Sequence, residues 1–137
     1  MRAAILAFTT LAAIAPTPPS RAATAPCTKA TTECERWMKI PNGPSRTKVY
    51  ASYPLDVANP AIVRALIMVH GAGRNADHYF ETSTAAGFLA GALDNTIIIA
   101  PRFAAGNDKV AENEVLWPER GGNWRSGGAL ATNASYG

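Results

Sequence analysis

The sequence predicts an α/β fold, and three features of its middle part carry that prediction. Two apolar segments, Ala65–Val69 and Thr96–Ala100, contain the β-branched residues typical of strands buried on both faces of a parallel sheet. Between them, apolar residues recur at roughly helical spacing from Tyr79 to Leu93. A strand, a helix and a second strand within about forty residues predict one βαβ unit with a right-handed crossover.

A glycine-punctuated turn separates the first strand from the helix. It reads HGAGRNAD over His70–Asp77, and either Asn75 or Asp77 is expected to cap the helix. Gly71 and Gly73 are expected to let the backbone adopt φ > 0 and to leave space above the turn. Backbone N–H groups near the middle of the turn would then point into a pocket at the end of the sheet.

The helix is expected to end near Asn95, and the second strand stops at Pro101. Gly87 and Gly91 lie within the helical pattern, where they either weaken the helix or allow close packing against a neighbouring element.

Before the βαβ unit, Thr47–Tyr53 is predicted to be an edge strand. It ends at Pro54, a residue that can end such a strand without removing a central ladder bond. Pro41–Ser45, PNGPS, predicts a turn. The polar segment Thr28–Trp37 predicts a short turn or helix.

After Pro101 the regular pattern ends. Ala104–Glu114 predicts a polar loop, in which carboxylates such as Asp108 and Glu112 are interpreted as solvated. Arg120–Gly128, RGGNWRSGG, is too rich in glycine to form a packed element alone. One βαβ unit with an edge strand leaves apolar edges and faces open, so the chain is expected to be a fragment or an early-terminated product.

The N-terminus, residues 1–25, is typical of a secretory signal peptide. Arg2 provides a minimal basic region, and the apolar run Ala3–Ala15 is too short to span a bilayer comfortably. Cleavage is expected after Ala22 rather than after Ala25, which a proline follows. This interpretation predicts a secreted or periplasmic protein without membrane attachment after signal removal. The alternative is an uncleaved anchor or a misassigned start.

Composition is that of an ordinary globular protein. The 137 residues suffice for one small domain, with 47% hydrophobic and 17% charged residues. The 13 basic residues include Arg2 and Arg21 of the leader and stand against 10 acidic residues, so the remaining chain is nearly neutral. The sequence has no basic stripe, and a nucleic-acid partner is therefore not expected.

Both cysteines, Cys27 and Cys34, follow the leader directly. In an oxidising compartment they could close a small disulfide loop that tethers the mature N-terminus. The alternative is two unpaired cysteines. A metal site is not expected, because no histidine is near them and two thiolates alone do not complete a zinc site.

Three motifs of the chain resemble parts of α/β-hydrolases. His70–Asp77, after a strand and before a helix, resembles their oxyanion-hole turn. Ile98–Pro101 resembles their next parallel strand, and Trp124–Gly128, WRSGG, looks like the glycine-rich loop before their nucleophile strand. Together with the leader, residues 47–137 are similar to secreted bacterial and fungal members, including esterase and polyester-depolymerase-like groups.

The resemblance implies the N-terminal part of an α/β-hydrolase parallel sheet, an edge strand plus one βαβ unit, truncated before the nucleophile elbow. With the signal peptide expected over 1–25 and the disulfide-tethered segment over 26–45, it implies a partial α/β-hydrolase domain over 46–137. It also implies that Gly71, Ala72 and Gly73 host the first oxyanion donor. His70 would brace the turn, or merely fill space at the strand end. The full-length protein would act on a small or polymeric ester without a cofactor.

The family's nucleophile is missing from this sequence. No G-x-S-x-G pentapeptide occurs, and Ser126 has glycines on one side only. The two histidines, His70 and His78, both lie at the first turn, and His78 is expected to be a surface or capping residue. No Ser-His-Asp triad is therefore expected in this chain, which is predicted to be inactive alone. A second hypothesis is a secreted binding module without catalysis.

Overall fold

The computed structural model of the protein describes residues 25–41 and 43–117. Predictions that fall on residues 1–24, on Asn42 or on residues 118–137 lie outside the described residues. These include most of the leader, Ser126 and the WRSGG segment at Trp124–Gly128.

A four-stranded mixed sheet with the order β1-β2-β4-β3 forms the body of the described chain. The elements are β1 (Glu35–Lys39), β2 (Arg46–Ala51), β3 (Arg64–Ile67), α1 (Ala76–Leu89) and β4 (Thr96–Pro101), followed by the short parallel pair β5 (Ala104–Ala105) and β6 (Leu116–Trp117). Strand β2 is antiparallel to both β1 and β4, whereas β3 and β4 are parallel. Since α1 joins β3 to β4, the predicted βαβ unit and the α/β class are confirmed.

Strand β2 is an interior strand, so the prediction of an edge strand at Thr47–Tyr53 is wrong. The segment that covers it is β1, in a region where the sequence predicted a turn or helix. Beside the paired ends of the two strands, the N–H of Ile40 donates to the Ser45 carbonyl at 2.8 Å. The resulting hairpin pairs Lys39 with Arg46 and so provides β2 with a second neighbour.

Strand β3 is not buried on both faces, contrary to the prediction. It lies at the end of the sheet, and all four of its residues are exposed. Val63 and Ile67 are 70% and 62% exposed, so the apolar run forms an open face and edge. The fully buried residues lie one strand inward, on β4, where Ile98 and Ala100 have no exposed surface.

Helix α1 packs on one face of the sheet, against Ile98 of β4. A Cβ added to Gly87 would lie 3.2 Å from Ile98 Cδ1, tighter than ordinary contact, so this glycine allows the close packing that the sequence left open. The helix ends at Leu89 rather than near Asn95. Gly91 causes this early end, because its φ of 62° is left-handed and cannot continue the helix.

The disulfide between Cys27 and Cys34 is present, as expected. Cys34 is fully buried in a cluster with Phe80 of α1 and Ile98 of β4. The N–H of Cys27 donates to the Ser52 carbonyl at 2.7 Å, and Ala51 N–H donates to the Cys34 carbonyl at 2.9 Å. The disulfide loop is therefore fixed to the end of β2 and to the helix. In the part of the chain that the structure describes, no helix is long and apolar enough to cross a membrane.

Candidate functional site

The loop between β3 and α1, residues 68–75, lies where the parallel strands β3 and β4 both end. It contains the HGAGRN motif. The N–H of Met68 donates to the Ile99 carbonyl at 2.8 Å, which extends the ladder one residue beyond β3. Loops at the carboxyl ends of parallel strands are the usual position of binding sites in α/β sheets.

His70 joins this loop to the chain that follows β4. The side chain is buried, and the N–H of Phe103 donates to its Nε2 at 2.9 Å. Since Nε2 accepts a hydrogen bond, the ring proton is assigned to Nδ1, which donates to the Gly71 carbonyl at 2.8 Å. The rings of His70 and Phe103 also meet edge to face, with centroids 5.9 Å apart. Because both ring nitrogens are hydrogen-bonded to backbone groups, His70 is not positioned to take a proton as a general base.

The bond from His70 also fixes the direction of the next peptide group. The Gly71 carbonyl accepts from His70 and from the N–H of Arg74, at 3.1 Å. In a trans peptide the C=O and the following N–H point in opposite directions, so the N–H of Ala72 points away from the imidazole and from the inside of the turn. Among the described residues, the N–H groups of Gly71, Ala72 and Gly73 donate no hydrogen bond, and all three residues are exposed.

Gly71 and Gly73 do not adopt φ > 0, contrary to the prediction. The left-handed residue of the turn is Arg74, with φ of 54°. Lack of space, rather than a positive φ, is the better reason for a glycine at position 73, because an added Cβ would lie 3.1 Å from the Asn75 Oδ1 atom. At Gly71 the nearest atom to an added Cβ is the Tyr79 hydroxyl oxygen at 3.8 Å, an ordinary contact.

Helix α1 begins without a side-chain cap. Asn75 occupies the N-cap position, but its side chain makes no capping hydrogen bond, so this part of the capping prediction is wrong. Asp77 lies in the first turn, where its carboxylate favours the positive end of the helix dipole. His78 is exposed at the start of the helix, on the surface where it was expected.

The Asp108 carboxylate is bound to Arg74 and in this way anchors the turn. The prediction that Asp108 is solvated is therefore wrong. Arg74 donates to both of its oxygens, from Nε at 2.6 Å and from Nη2 at 3.2 Å. This two-point bond lowers the pKa of Asp108, although partial burial acts in the opposite direction, and the N–H of Ala105 contributes to the lowering. Arg74 also donates to the Ala72 carbonyl at 3.2 Å, which orients the peptide group between Ala72 and Gly73.

The Arg74–Asp108 pair predicts a pH-dependent stability. The pKa of Asp108 is lower in the folded chain than in the unfolded chain. The ionised Asp108 carboxylate therefore contributes its full stabilisation of the folded chain above the ordinary Asp pKa of about 3.9. This contribution is lost as the pH falls through the pKa of Asp108 in the folded chain. We expect the difference in unfolding free energy between wild type and Asp108→Asn to be larger at about pH 6 than at about pH 3. Urea unfolding at both values measures it, and an equal difference at both would contradict the expectation.

A second carboxylate in the same segment, Glu114, is buried. Its side chain is 1% exposed, and its Oε1 atom lies 2.8 Å from Arg102 Nη1. The N–H of Ala111 donates to the other oxygen at 2.9 Å. The interpretation of this segment as a solvated loop is therefore wrong for Glu114 as well. Its spacing from Arg102 in the sequence gave no reason to expect a pair.

The described residues hold no arrangement typical of a metal centre. Within 25–41 and 43–117, no group of three or more His, Cys, Asp or Glu side chains is close enough to bind a metal ion. No family model, curated protein or solved structure matches the chain in the comparisons with known proteins. The function is therefore argued from the geometry of the site.

Proposed function

We propose that the chain is the N-terminal part of a secreted or periplasmic serine hydrolase with the α/β-hydrolase fold, and that the full protein hydrolyses an ester. In this proposal the serine oxygen attacks the ester carbonyl while a histidine of the full protein takes the hydroxyl proton, so that the carbonyl oxygen becomes an oxyanion in the tetrahedral intermediate. The histidine then returns the proton to the departing alcohol, which leaves an acyl-serine for water to hydrolyse. The N–H of Ala72 donates to that oxyanion, and the second donor is the N–H of the residue after the serine.

The observation that carries the proposal is the direction of the Ala72 N–H. Ala72 is an exposed residue, its N–H makes no hydrogen bond among the described residues, and the His70–Gly71 bond holds its peptide group in place. Donors fixed before the reaction contribute more than mobile ones, because no reorganisation is needed when the charge develops. The position agrees with this role, since α/β-hydrolases take one oxyanion N–H from the loop between the third strand and the next helix.

The exposed face of β3 supports the part of the proposal that concerns the missing nucleophile. The outer edge of this strand has no partner among the described residues, and Val63 and Ile67 present apolar surface beside it. Long apolar edges are usually paired or covered in folded proteins. A further strand that pairs with this edge in the parallel direction would place its own carboxyl end, and the serine that follows it, beside the loop at residues 68–75.

An ester hydrolysis assay tests the proposal with two proteins. One is the 137-residue chain, and the other is the product of the reading frame continued beyond Gly137. We expect that only the longer protein hydrolyses p-nitrophenyl acetate, and that its added sequence contains a G-x-S-x-G motif. Turnover by the shorter chain would contradict the proposal. A longer protein without this motif and without activity would also contradict it and would favour a binding module.

A further inference from the structure

A polar cavity of about 470 Å³ lies beside the N-terminus of α1, bordered by the turn on one side and by β2 on the other. Its lining includes four cationic side chains, those of Lys48, Arg74, Arg102 and Lys109. A single carboxylate, that of Asp77, lies among the lining residues, together with the hydroxyl-bearing Tyr50. The cavity is separate from the exposed N–H groups of Gly71 and Ala72, which do not line it.

Carboxylates that do not line the cavity hold three of these cations in position. Glu35 lies 2.9 Å from the Lys48 ammonium, and Asp108 and Glu114 hold the two arginines at 2.6 and 2.8 Å. These side chains are ordered before any ligand binds, so a ligand would meet a preformed site. A preformed site lowers the entropy cost of binding.

Two of the cations, Arg102 and Lys109, have hydrogen-bond donors that make no bond to the described residues. Arg102 uses one N–H of Nη1 for Glu114 and one N–H of Nη2 for the Lys109 carbonyl, so three of its five N–H groups make no bond to the described residues. The Lys109 ammonium has no carboxylate within 4.0 Å in the described part of the chain. Guanidinium and ammonium groups together are the usual donors to a phosphate group.

We propose that this cavity binds the phosphate group of a small phosphate monoester. A monoester carries close to two negative charges near neutral pH. Three of the four cations are already paired with carboxylates outside the lining, so the Lys109 ammonium and the unused N–H groups of Arg102 are the main donors to the phosphate oxygens. The cavity is also larger than a single ion requires, so part of the organic group would fit inside it. The proposal goes beyond ester hydrolysis and does not depend on it, because it uses neither the Ala72 N–H nor a serine.

Calorimetric titration of the purified chain with glycerol 3-phosphate and with inorganic phosphate, at constant ionic strength, tests the proposal. We expect saturable binding of glycerol 3-phosphate at least as tight as that of inorganic phosphate. Lys109→Gln should weaken binding about tenfold, the loss of one charge-assisted hydrogen bond. Lys39→Gln removes the same charge from an exposed position on β1 and should leave the affinity unchanged.

Three results would overturn the proposal. The first is the absence of saturable binding by either compound. The second is binding of inorganic phosphate alone, which would exclude the monoester. The third is an equal loss in Lys109→Gln and Lys39→Gln, which would assign the binding to general surface charge. Both lysines are exposed, so neither substitution is expected to disturb the fold on which the titration depends.

Discussion

Replacement of Glu114 by alanine is expected to lower the free energy of unfolding by about 2–3 kcal/mol. The substitution leaves the Arg102 guanidinium without its carboxylate and the N–H of Ala111 without its acceptor. The Glu114 side chain is 1% exposed, so its removal also leaves a cavity, whereas the Arg102 side chain is 19% exposed and still reaches solvent. The effect would extend to the site, since Arg102 directly precedes Phe103, whose N–H donates to His70.

Urea unfolding followed by circular dichroism measures this loss. Glu114→Gln keeps an acceptor for Ala111 and removes only the charge, so its loss should be smaller than that of the alanine variant. Glu112→Ala is the matched control, because this glutamate is exposed two residues away and should change stability by less than about 0.5 kcal/mol. Equal stabilities of Glu114→Ala and Glu112→Ala would refute the structural role of the buried pair.

Replacement of His70 by alanine is expected to destabilise the chain by about 3 kcal/mol. The imidazole is 2% exposed, so the substitution leaves a cavity. It also leaves the N–H of Phe103 and the carbonyl of Gly71 without their partner in the ring. His78→Ala is the control on the exposed surface and should be close to wild type in the same urea experiment.

Two further variants of His70 separate its two hydrogen bonds. Asparagine places its amide N–H near the position of Nδ1 and retains the bond to Gly71, whereas glutamine reaches the position of Nε2 and retains the bond to Phe103. If the bond to Gly71 orients the Ala72 N–H, His70→Asn should keep more of the kcat of the longer protein than His70→Gln. KM should change little, because an oxyanion donor acts mainly in the transition state. Equal losses of kcat would show that His70 acts through stability alone.

The local pattern of the sequence predicts the βαβ unit because its signals lie within short windows. The apolar run at Ala65–Val69, the helical spacing after it and the second run at Thr96–Ala100 each need only neighbouring residues. The same windows do not predict burial. Whether β3 is covered depends on which strands flank it, a long-range property of the sheet, and among the described residues β3 is the edge strand.

Strand β1 and the ion pairs were missed for a related reason. Glu35–Lys39 has no clear alternation of apolar and polar residues, because its stabilisation comes from pairing with β2 and from contacts such as Arg46 over the Trp37 ring. Asp108 is 34 residues from Arg74, so only the tertiary fold brings them together. The turn at His70–Asn75 was located correctly from its glycines, although the left-handed residue is Arg74.

The most direct test of the central claim is covalent labelling with a fluorophosphonate, which reacts with activated serines, followed by mapping of the labelled residue by mass spectrometry. The proposal predicts no labelling of the 137-residue chain. It predicts labelling of the longer protein at the serine of a G-x-S-x-G motif beyond Gly137, and slower labelling in its His70→Gln variant. Labelling of any serine within the 137 residues, or an unreactive longer protein, would contradict the claim that this turn serves a serine nucleophile supplied from outside the chain.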